Sequence, residues 1–551
     1  MLQTTPSEEG SNDRPILVLA EAPSNVEIRM EQPLVGPAGH VFNDCLHAAG
    51  LHRRDCYILN IWPFQVDKDR RMPDNIYVRG HVGDYNYLLF TKKGFTEFGL
   101  YEARQCIEKI NAASCNVVLA MGRPALQMMI GDPRPIMKWR GSPLWSEKFQ
   151  RKFIPTVHPA ASLHGNYTWR YLIIADMEKI KGEMDDPSLR LPERSILINP
   201  TYHDVVEYHH LVAKQKRFAT DIEVINHQLN CYCLCYKPDE VMVVPMADEL
   251  GDAWWAEDQE IDIWRLYARL MSDEKIDKIN QNIIGFDCVF LLQQNNIYTR
   301  GFLGDNMIAQ KIMYPDFKKG LDFITSIYTR EPYYKDEGKM WKGAGGDIEQ
   351  FWRYNGKDGC VALESWGKLE AELISEGYMD TYKRRARLAL PLAYMSTRGM
   401  KVDHDKLKKV HGDVERKIKE KEAELSAVAK VPFNVSSPKQ CQQYFYGLLG
   451  IQPYKGSTGG ITTDDKAMAR IYRRYNLPEA KLVQEIRALK KLKGTYLEVE
   501  TDKDGRIRCS WDPTGTWTGR LSSSQTVFGT GMNMQNLHPE FKEFLVADED
   551  E

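Results

Sequence analysis

Lys216-Arg-Phe-Ala-Thr-Asp221-Ile-Glu223-Val-Ile225 is the stretch on which the fold turns. Its β-branched and aromatic residues read as a strand, and alternation across a strand puts Asp221 and Glu223 on one face. Two further acidic stretches follow it. In Lys278-Ile-Asn-Gln-Asn282-Ile-Ile-Gly-Phe286-Asp287 a short apolar turn leads into Cys288-Val-Phe-Leu-Leu292, which reads as a buried helix with Asp287 projecting from its start. In Trp352-Arg-Tyr354-Asn-Gly-Lys-Asp358 a phenol and a carboxylate stand one helical turn apart and share a face. Four carboxylates in this order suit two divalent cations roughly 4 Å apart, clamping the attacking and leaving oxygens of an in-line phosphoryl displacement. Tyr354 is placed to align the attacking water. A strand-borne Asp-x-Glu alone is more often a solvated edge; the ordered set is what points to a site.

The 551 residues are too many for one core, and three or four units are expected. With 43% apolar and 27% charged residues the composition is that of a soluble globular protein, and the net charge of -3 confines any nucleic-acid surface to local patches. Candidates are Lys383 to Arg387, Lys401 to Lys409 and Arg487 to Lys493, although lysine-rich helix faces are more often merely solvated. The eleven cysteines show no Cys-x-x-Cys framework; Cys231, Cys233 and Cys235 alternate along one strand face. A reducing compartment follows, and with a polar N-terminus and no apolar run near the ~20 residues of a membrane span, a cytoplasmic protein with no membrane partner is expected.

Residues 191–375 resemble the DEDD-type 3′-to-5′ exonucleases of the subclass whose third motif is Tyr-x-x-x-Asp. The resemblance implies a ribonuclease H-like domain in which Asp221, Glu223 and Asp358 ligate metal, Asp287 holds a second ion directly or through water, and Tyr354 orients the nucleophile. Two Mg²⁺, or Mn²⁺, are the implied cofactors, and Asn282 is an implied DNA contact.

Ahead of it, Pro15-Ile-Leu-Val-Leu-Ala20, Cys56-Tyr-Ile-Leu-Asn60 and Asn116-Val-Val-Leu-Ala-Met-Gly122 alternate with helical stretches, which argues a parallel α/β sheet over residues 14–190, after a polar tail at 1–13. Ligands of such sheets bind at the loops beyond the strand ends. There Ala20-Glu21-Ala-Pro-Ser24-Asn-Val-Glu27, Gln32-Pro-Leu34-Val-Gly-Pro-Ala-Gly39, Leu59-Asn60, Leu119-Ala-Met-Gly122 and Pro155-Thr-Val-His158-Pro-Ala160 are similar to the uracil-DNA glycosylase superfamily, nearest its families 4 and 5. By that resemblance Glu21 to Glu27 lie at the reacting sugar, Leu34 takes the base-stacking position, Asn60 reads the base and His158 supports the developing oxyanion. The sequence departs from the pattern: Ser24 and Ala20 stand for glycines, Leu34 replaces an aromatic, and no cysteine cluster for iron and sulfur is present, so no such cluster is expected. Base excision, which needs the target outside the stack, and DNA binding without chemistry both stay open.

From Arg384 the pattern turns helical. Leu407, Val410, Val414, Ile418 and Leu425 form one apolar stripe on a helix from Asp403 to Lys430, and a second helix, Ala480 to Glu498, carries Arg487, Lys490, Lys491 and Lys493, a plausible clamp on duplex phosphates. Thr516-Trp-Thr518-Gly-Arg520-Leu-Ser522-Ser523 and Gln535-Asn536-Leu537 suit close approach to a sugar-phosphate backbone, with Lys490, Lys491, Thr518, Arg520, Ser522, Gln535 and Asn536 as candidate contacts. Together with the nuclease-like stretch, residues 191–551 look like family A DNA polymerase, with a mainly helical thumb at 376–505 and the start of a palm at 506–551. The three-part order is similar to a group of bacteriophage polymerases. An α/β multidomain protein results, expected in the host cytoplasm if phage-encoded. The resemblance implies that the palm carboxylates fall beyond residue 551, so that synthesis needs a C-terminal fragment, that Asp548 and Asp550 are a solvated tail, and that Leu521, Phe541 and Phe544 lack their cover. Implied partners are primer-template DNA, single-stranded 3′ ends and that fragment; a DNA-holding subunit without turnover is the other reading.

Overall fold

The computed structural model describes residues 8–67, 76–82, 85–340, 346–456 and 459–548, so that the first seven residues of the expected tail and Asp550 lie outside the described residues. The chain divides into two compact units, one of residues 1–287 and 297–387, the other of residues 288–296 and 388–551.

In the first unit the apolar runs pair as parallel strands in the order Cys56–Asn60, Ile16–Ala20, Val117–Met121, Arg151–Thr156. Such runs carry no alternation because both faces of the sheet are covered: Leu17 and Leu19 enter one buried cluster, Ile16 and Val18 another. Within the polar tail expected over residues 1–13, residues 8 and 9 form a strand. Glu8 and Glu9 pair as an edge strand with Leu59 and Ile58, because Tyr57 donates to Glu8 at 2.5 Å and Arg53 holds Glu9 at 2.5 Å. An antiparallel sheet built from Val66–Asp67, Ile76–Val82, Tyr85–Thr91 and Gly94–Phe95 interrupts the strand-helix alternation and had no clear signal in the sequence.

A second sheet of this unit runs Ser195–Leu197, Glu240–Pro245, Gln228–Lys237, Arg217–Ala219, Asp277–Asn280, Leu303–Asp305, with Ile222–Ile225 also paired to Gln228–Lys237. Cys231, Cys233 and Cys235 are fully buried in it, as their alternation predicts, and all eleven cysteines of the chain are free thiols. The helix Ile348–Ser375 lies on this sheet at short range. A Cβ at Gly359 would stand 2.5 Å from the Cys233 sulfur, and one at Gly356 would stand 2.7 Å from Ile196, so the two glycines set how closely the helix sits. The compact unit that holds this sheet extends past that helix to residue 387. Tyr382, on the helix Met379–Ala386, donates to the Leu303 carbonyl at 2.6 Å and accepts from the Asp305 amide at 2.5 Å, which ties that helix to the sheet.

In the second unit the helix His404–Ala429 buries Leu407, Val414, Ile418 and Leu425, the predicted stripe, after an Asp403 cap that accepts from the Lys406 amide at 2.9 Å. It packs along Pro478–Leu492. A small sheet joins Arg506–Ile507, Met400–Val402 and Leu545–Val546. Contrary to expectation, Phe541 and Phe544 are covered, in a cluster with Val402, Leu407 and Ile507, while Leu521 is half-buried. Asp548 is not a solvated residue either: it pairs with Arg398 at 2.8 Å and with Arg506. No helix among the described residues is long and apolar enough to cross a membrane.

The tight seat of the Ile348–Ser375 helix gives a stability prediction. Gly359→Ala, which forces a methyl against the Cys233 sulfur, lowers the unfolding free energy by about 1 to 3 kcal/mol. Cys233→Ala in the same chain returns part of that loss. A double-mutant cycle by urea unfolding with no positive coupling between the two positions would contradict this packing.

Candidate active site

The first nuclease-like stretch breaks at the functional residue. Arg217–Ala219 and Ile222–Ile225 are separate strands, with Thr220 and Asp221 in the gap between them. Asp221 still follows the ladder through its carbonyl, which accepts from the Cys233 amide at 3.0 Å. Glu223 lies opposite Cys231. Tyr354 and Asp358 lie one turn apart on the Ile348–Ser375 helix, as their spacing predicts. Carboxylate oxygens of Asp221, Glu223 and Asp358 all come within 4.8 Å of one another.

Asp287 begins the helix Asp287–Asn295 and stands beside this trio rather than within it. Its Oδ1 accepts from the Ile222 amide at 3.3 Å and from the Asn280 side chain at 3.1 Å. The same Asn280 amide donates to Asp221 at 2.8 Å, so one side chain links the two carboxylates. Asn355 donates to the other oxygen of Asp221 at 3.0 Å. On the far side Tyr334 donates to Asp358 Oδ1 at 2.5 Å, and the Lys335 ammonium forms an ion pair with Asp358 Oδ2 and a hydrogen bond of 2.8 Å to the Tyr354 hydroxyl.

Burial is the main cause of the electrostatics here. It pushes the Asp221 carboxyl up to about 7, with the charge of Asp358 adding to it, against the amides of Asn280 and Asn355. Asp287 is held well above the usual carboxylate range by burial and then by Asp221. The Tyr354 phenol is raised too, so it stays protonated and can donate. A cluster that resists ionisation while offering only carboxylate oxygens fits a hard divalent cation such as Mg²⁺ or Mn²⁺, whose charge would offset the desolvation.

Four of these contacts, Asn280, Asn355, Tyr334 and Lys335, were not picked out from the sequence. Asn355 adjoins Tyr354 and Asn280 ends the strand before the Asp287 turn, which was a usable hint. Tyr334 and Lys335 sit on a connecting segment with no periodicity to place them. Asn282, expected at DNA, is half-buried with φ 61 and donates its backbone amide to Asp305 at 3.1 Å. Asp305, fully buried and pushed up to about 6 by burial, also accepts from Ile284, and so fixes the turn that delivers Asp287.

At the N-terminal sheet the glycosylase-like residues gather at the carboxyl ends of the parallel strands. Asn60 ends one strand beside Ala20, Glu21 follows the next, and the Gly122 Cα borders His158, where an added Cβ would lie 3.2 Å from the histidine Cβ. Asn60 is 3% exposed and its Nδ2 meets no acceptor among the described residues. His158 Nδ1 accepts from the Ala160 amide at 3.2 Å. Two expected members have other duties. Glu27 closes a capping box, accepting from the Ser24 amide at 2.6 Å, and Leu34 is buried in the core with φ 51, leaving no exposed face on which a base could stack.

Of the candidate DNA contacts in the second unit, Thr518, Arg520, Gln535 and Asn536 are exposed and Ser522 is half-buried. Gln535 donates its side-chain amide to the Leu521 carbonyl at 2.9 Å, and Tyr496 donates to the Asn536 carbonyl at 3.0 Å. Lys491 is exposed, but Lys490 pairs with Glu422 at 2.7 Å on the neighbouring helix. Arg487, part of the same basic stretch, is structural: it donates to the Val435 and Thr463 carbonyls at 2.7 and 2.5 Å.

Residues 404–550 match the family model described as DNA polymerase family A, and residues 7–175 match that of the uracil DNA glycosylase superfamily. The chain is 29% identical over 282 residues to DNA polymerase I of Rhizobium leguminosarum, covering 49% of this chain and 27% of that protein. It is 26% identical over 260 residues to DNA polymerase I of Bacillus subtilis (strain 168), covering 45% and 28%. Thermostable DNA polymerase I of Thermus aquaticus is 32% identical over 179 residues, covering 31% and 20%. The chain thus spans between 20 and 28% of the length of these relatives. Among solved structures, the POL domain of Pol1 from M. smegmatis in complex with DNA primer-template and dNTP superposes with a TM-score of 0.51 at 18% identity, covering 64% of this chain and 59% of that one, a likeness of fold. The chain therefore joins a stretch similar to the uracil DNA glycosylase superfamily to a stretch similar to DNA polymerase family A, and the relatives it matches are bacterial DNA polymerases I.

Proposed function

We propose that the first unit of this chain is a divalent-cation-dependent 3′-to-5′ exonuclease that removes terminal nucleotides from DNA in the service of polymerisation. The observation that carries the reading is the meeting of Asp221, Glu223 and Asp358 within 4.8 Å, on a strand break and a helix that nothing but the fold brings together. Asp221, Glu223 and Asp358 would hold one cation and Asp287, linked through Asn280, would take part in holding a second. When bound, such ions supply Lewis acidity and a hydroxide-like nucleophile at neutral pH. The protein's own part is positional. Asn280 and Asn355 fix the Asp221 carboxylate, and Tyr354, protonated, offers a hydroxyl that aligns the attacking water by accepting or donating a hydrogen bond.

The substrates in this reading are primer-template DNA and single-stranded 3′ ends, and the exposed Thr518, Arg520, Gln535, Asn536 and Lys491 are the backbone contacts of the polymerase-related unit. The setting in this reading is a bacteriophage-type replication system in a host cytoplasm.

A second reading is favoured by one observation: the buried Asn60 amide at the strand ends suits a carbonyl acceptor of a flipped base, which makes base excision an activity of the N-terminal sheet.

Three outcomes are expected. A 3′-mismatched primer on a template loses its terminal nucleotides in Mg²⁺, and Asp221→Ala with Glu223→Ala slows this at least about 100-fold; equal rates in gel-resolved time courses would rule the nuclease reading out. Millimolar Mn²⁺ raises the melting temperature of the wild type by a few degrees but not that of the double variant, since only a protein with the ligands gains binding free energy on folding. Uracil release from single-stranded DNA, if present, survives the double variant and is lost in Asn60→Ala; no release by the wild type removes the second reading.

A further inference from the structure

Lys335 is the one cation that reaches into the carboxylate centre among the described contacts of Asp358 and Tyr354. It arrives on the segment 331–338, away from the strands and helix that bear the acids, and this segment is fastened on several sides. Tyr333 donates its amide to Ser142 at 3.1 Å and its ring lies 5.4 Å from that of Trp139. Asp336 pairs with Lys138 at 3.3 Å, Glu337 with Lys357 at 3.1 Å, and Gly338 lies against the Tyr354 ring, where a Cβ would come within 2.8 Å. The backbone that carries Lys335 is therefore held beside Tyr354 and Asp358. The Lys335 side chain is 19% exposed, its ammonium lies 4.8 Å from the centre of the Tyr354 ring, and it bridges the Tyr354 hydroxyl and the Asp358 carboxylate.

Lys335 places one unit charge on the Asp358 carboxylate, a group that a cation bound by Asp221, Glu223 and Asp358 would share. The ammonium and a divalent ion compete for it. The bond to Tyr354 is not subject to that competition, because the phenol is no ligand of the trio.

Resting on the nuclease reading, we infer that Lys335 is a positioning residue of this centre: it holds Asp358 while no cation is bound, yields that carboxylate to the cation, and stays on the Tyr354 hydroxyl, fixing it beside the water path.

The test uses the full chain. Mn²⁺ is titrated without DNA, followed by the electron paramagnetic resonance of the free ion, and exonuclease kinetics are measured on a mismatched primer. Lys335→Met is expected to bind Mn²⁺ about 10-fold more tightly than wild type, because a like charge next to the ligands is gone. Its kcat is expected to fall about 10- to 100-fold while KM for DNA moves less than about 3-fold, with Lys335→Arg recovering part of kcat. Should Lys335→Met fail to fold, Lys335→Gln, which keeps a donor without the charge, carries the same measurements. Unchanged or weaker Mn²⁺ binding overturns the inference, and so does an unchanged kcat. If the wild type degrades no 3′ end, the nuclease reading falls by itself, and the Mn²⁺ titration still decides whether Lys335 and the cation share Asp358.

Discussion

Carboxylates forced close together oppose the fold that contains them, and the first unit is organised around that opposition. Asp221 and Asp287 are both driven up by burial and by charge, Asp221 to about 7. Separating their bearers by a small distance would relieve the strain, so something must hold the elements in. The seat of the Ile348–Ser375 helix does this. With hydrogen atoms facing Cys233 and Ile196 at Gly359 and Gly356, the helix comes down far enough for Asp358 to reach the strand break at Asp221. Any larger residue at those two positions would lift the helix against a sheet packed to crystal-like density. Packing of apolar and small groups thus sets a distance that electrostatics alone would lengthen.

What could be read from the sequence is what repeats. Period two placed Asp221 and Glu223 together, a helical turn placed Tyr354 with Asp358, and the apolar runs gave the parallel sheet. Even so, the strand that carries Asp221 is broken at that residue, a departure that pattern alone does not reveal because the ladder resumes in register through the Cys233 amide. Lys335 and Tyr334 were out of reach for a different reason: they are brought to the centre by a segment whose course depends on Ser142, Trp139 and Lys138, far away in the chain. Sequence also lists charges without their partners. Lys490 and Arg487 read as a surface for phosphates, yet one meets Glu422 and the other stitches backbone carbonyls together. Leu34 and Glu27 show the same limit, since only the fold turns one into core and the other into a helix cap.

The two sheets of the first unit solve the problem of placing polar groups in similar ways. In the N-terminal sheet, parallel strands are buried on both faces, so functional side chains can emerge only at the strand ends, and Asn60, Glu21 and His158 do so. In the second sheet the opening is made inside the sheet, by the gap at Thr220 and Asp221, and is finished by a turn that Asp305 holds through the Asn282 and Ile284 amides. The second device gathers three carboxylates within 4.8 Å of one another. It also demands more partners, which is why amides surround Asp221 and Asp287 on the sheet side.

The kind of partner matters as much as the number. Had arginines supplied the hydrogen bonds, their bidentate, permanently charged forks would have neutralised the acids and excluded a divalent ion. Asn280, Asn355 and Tyr334 donate without charge, so they orient the oxygens without supplying a countercharge. Among the described contacts of Asp358 the cation is a lysine, whose compact charge sits on a flexible stem and can shift by a small rotation rather than a change of fold. A centre meant only to be stable would pair every acid with a fixed cation. One that leaves Asp221 and Asp287 to neutral donors, and gives Asp358 a cation that can move, is arranged to receive charge from outside.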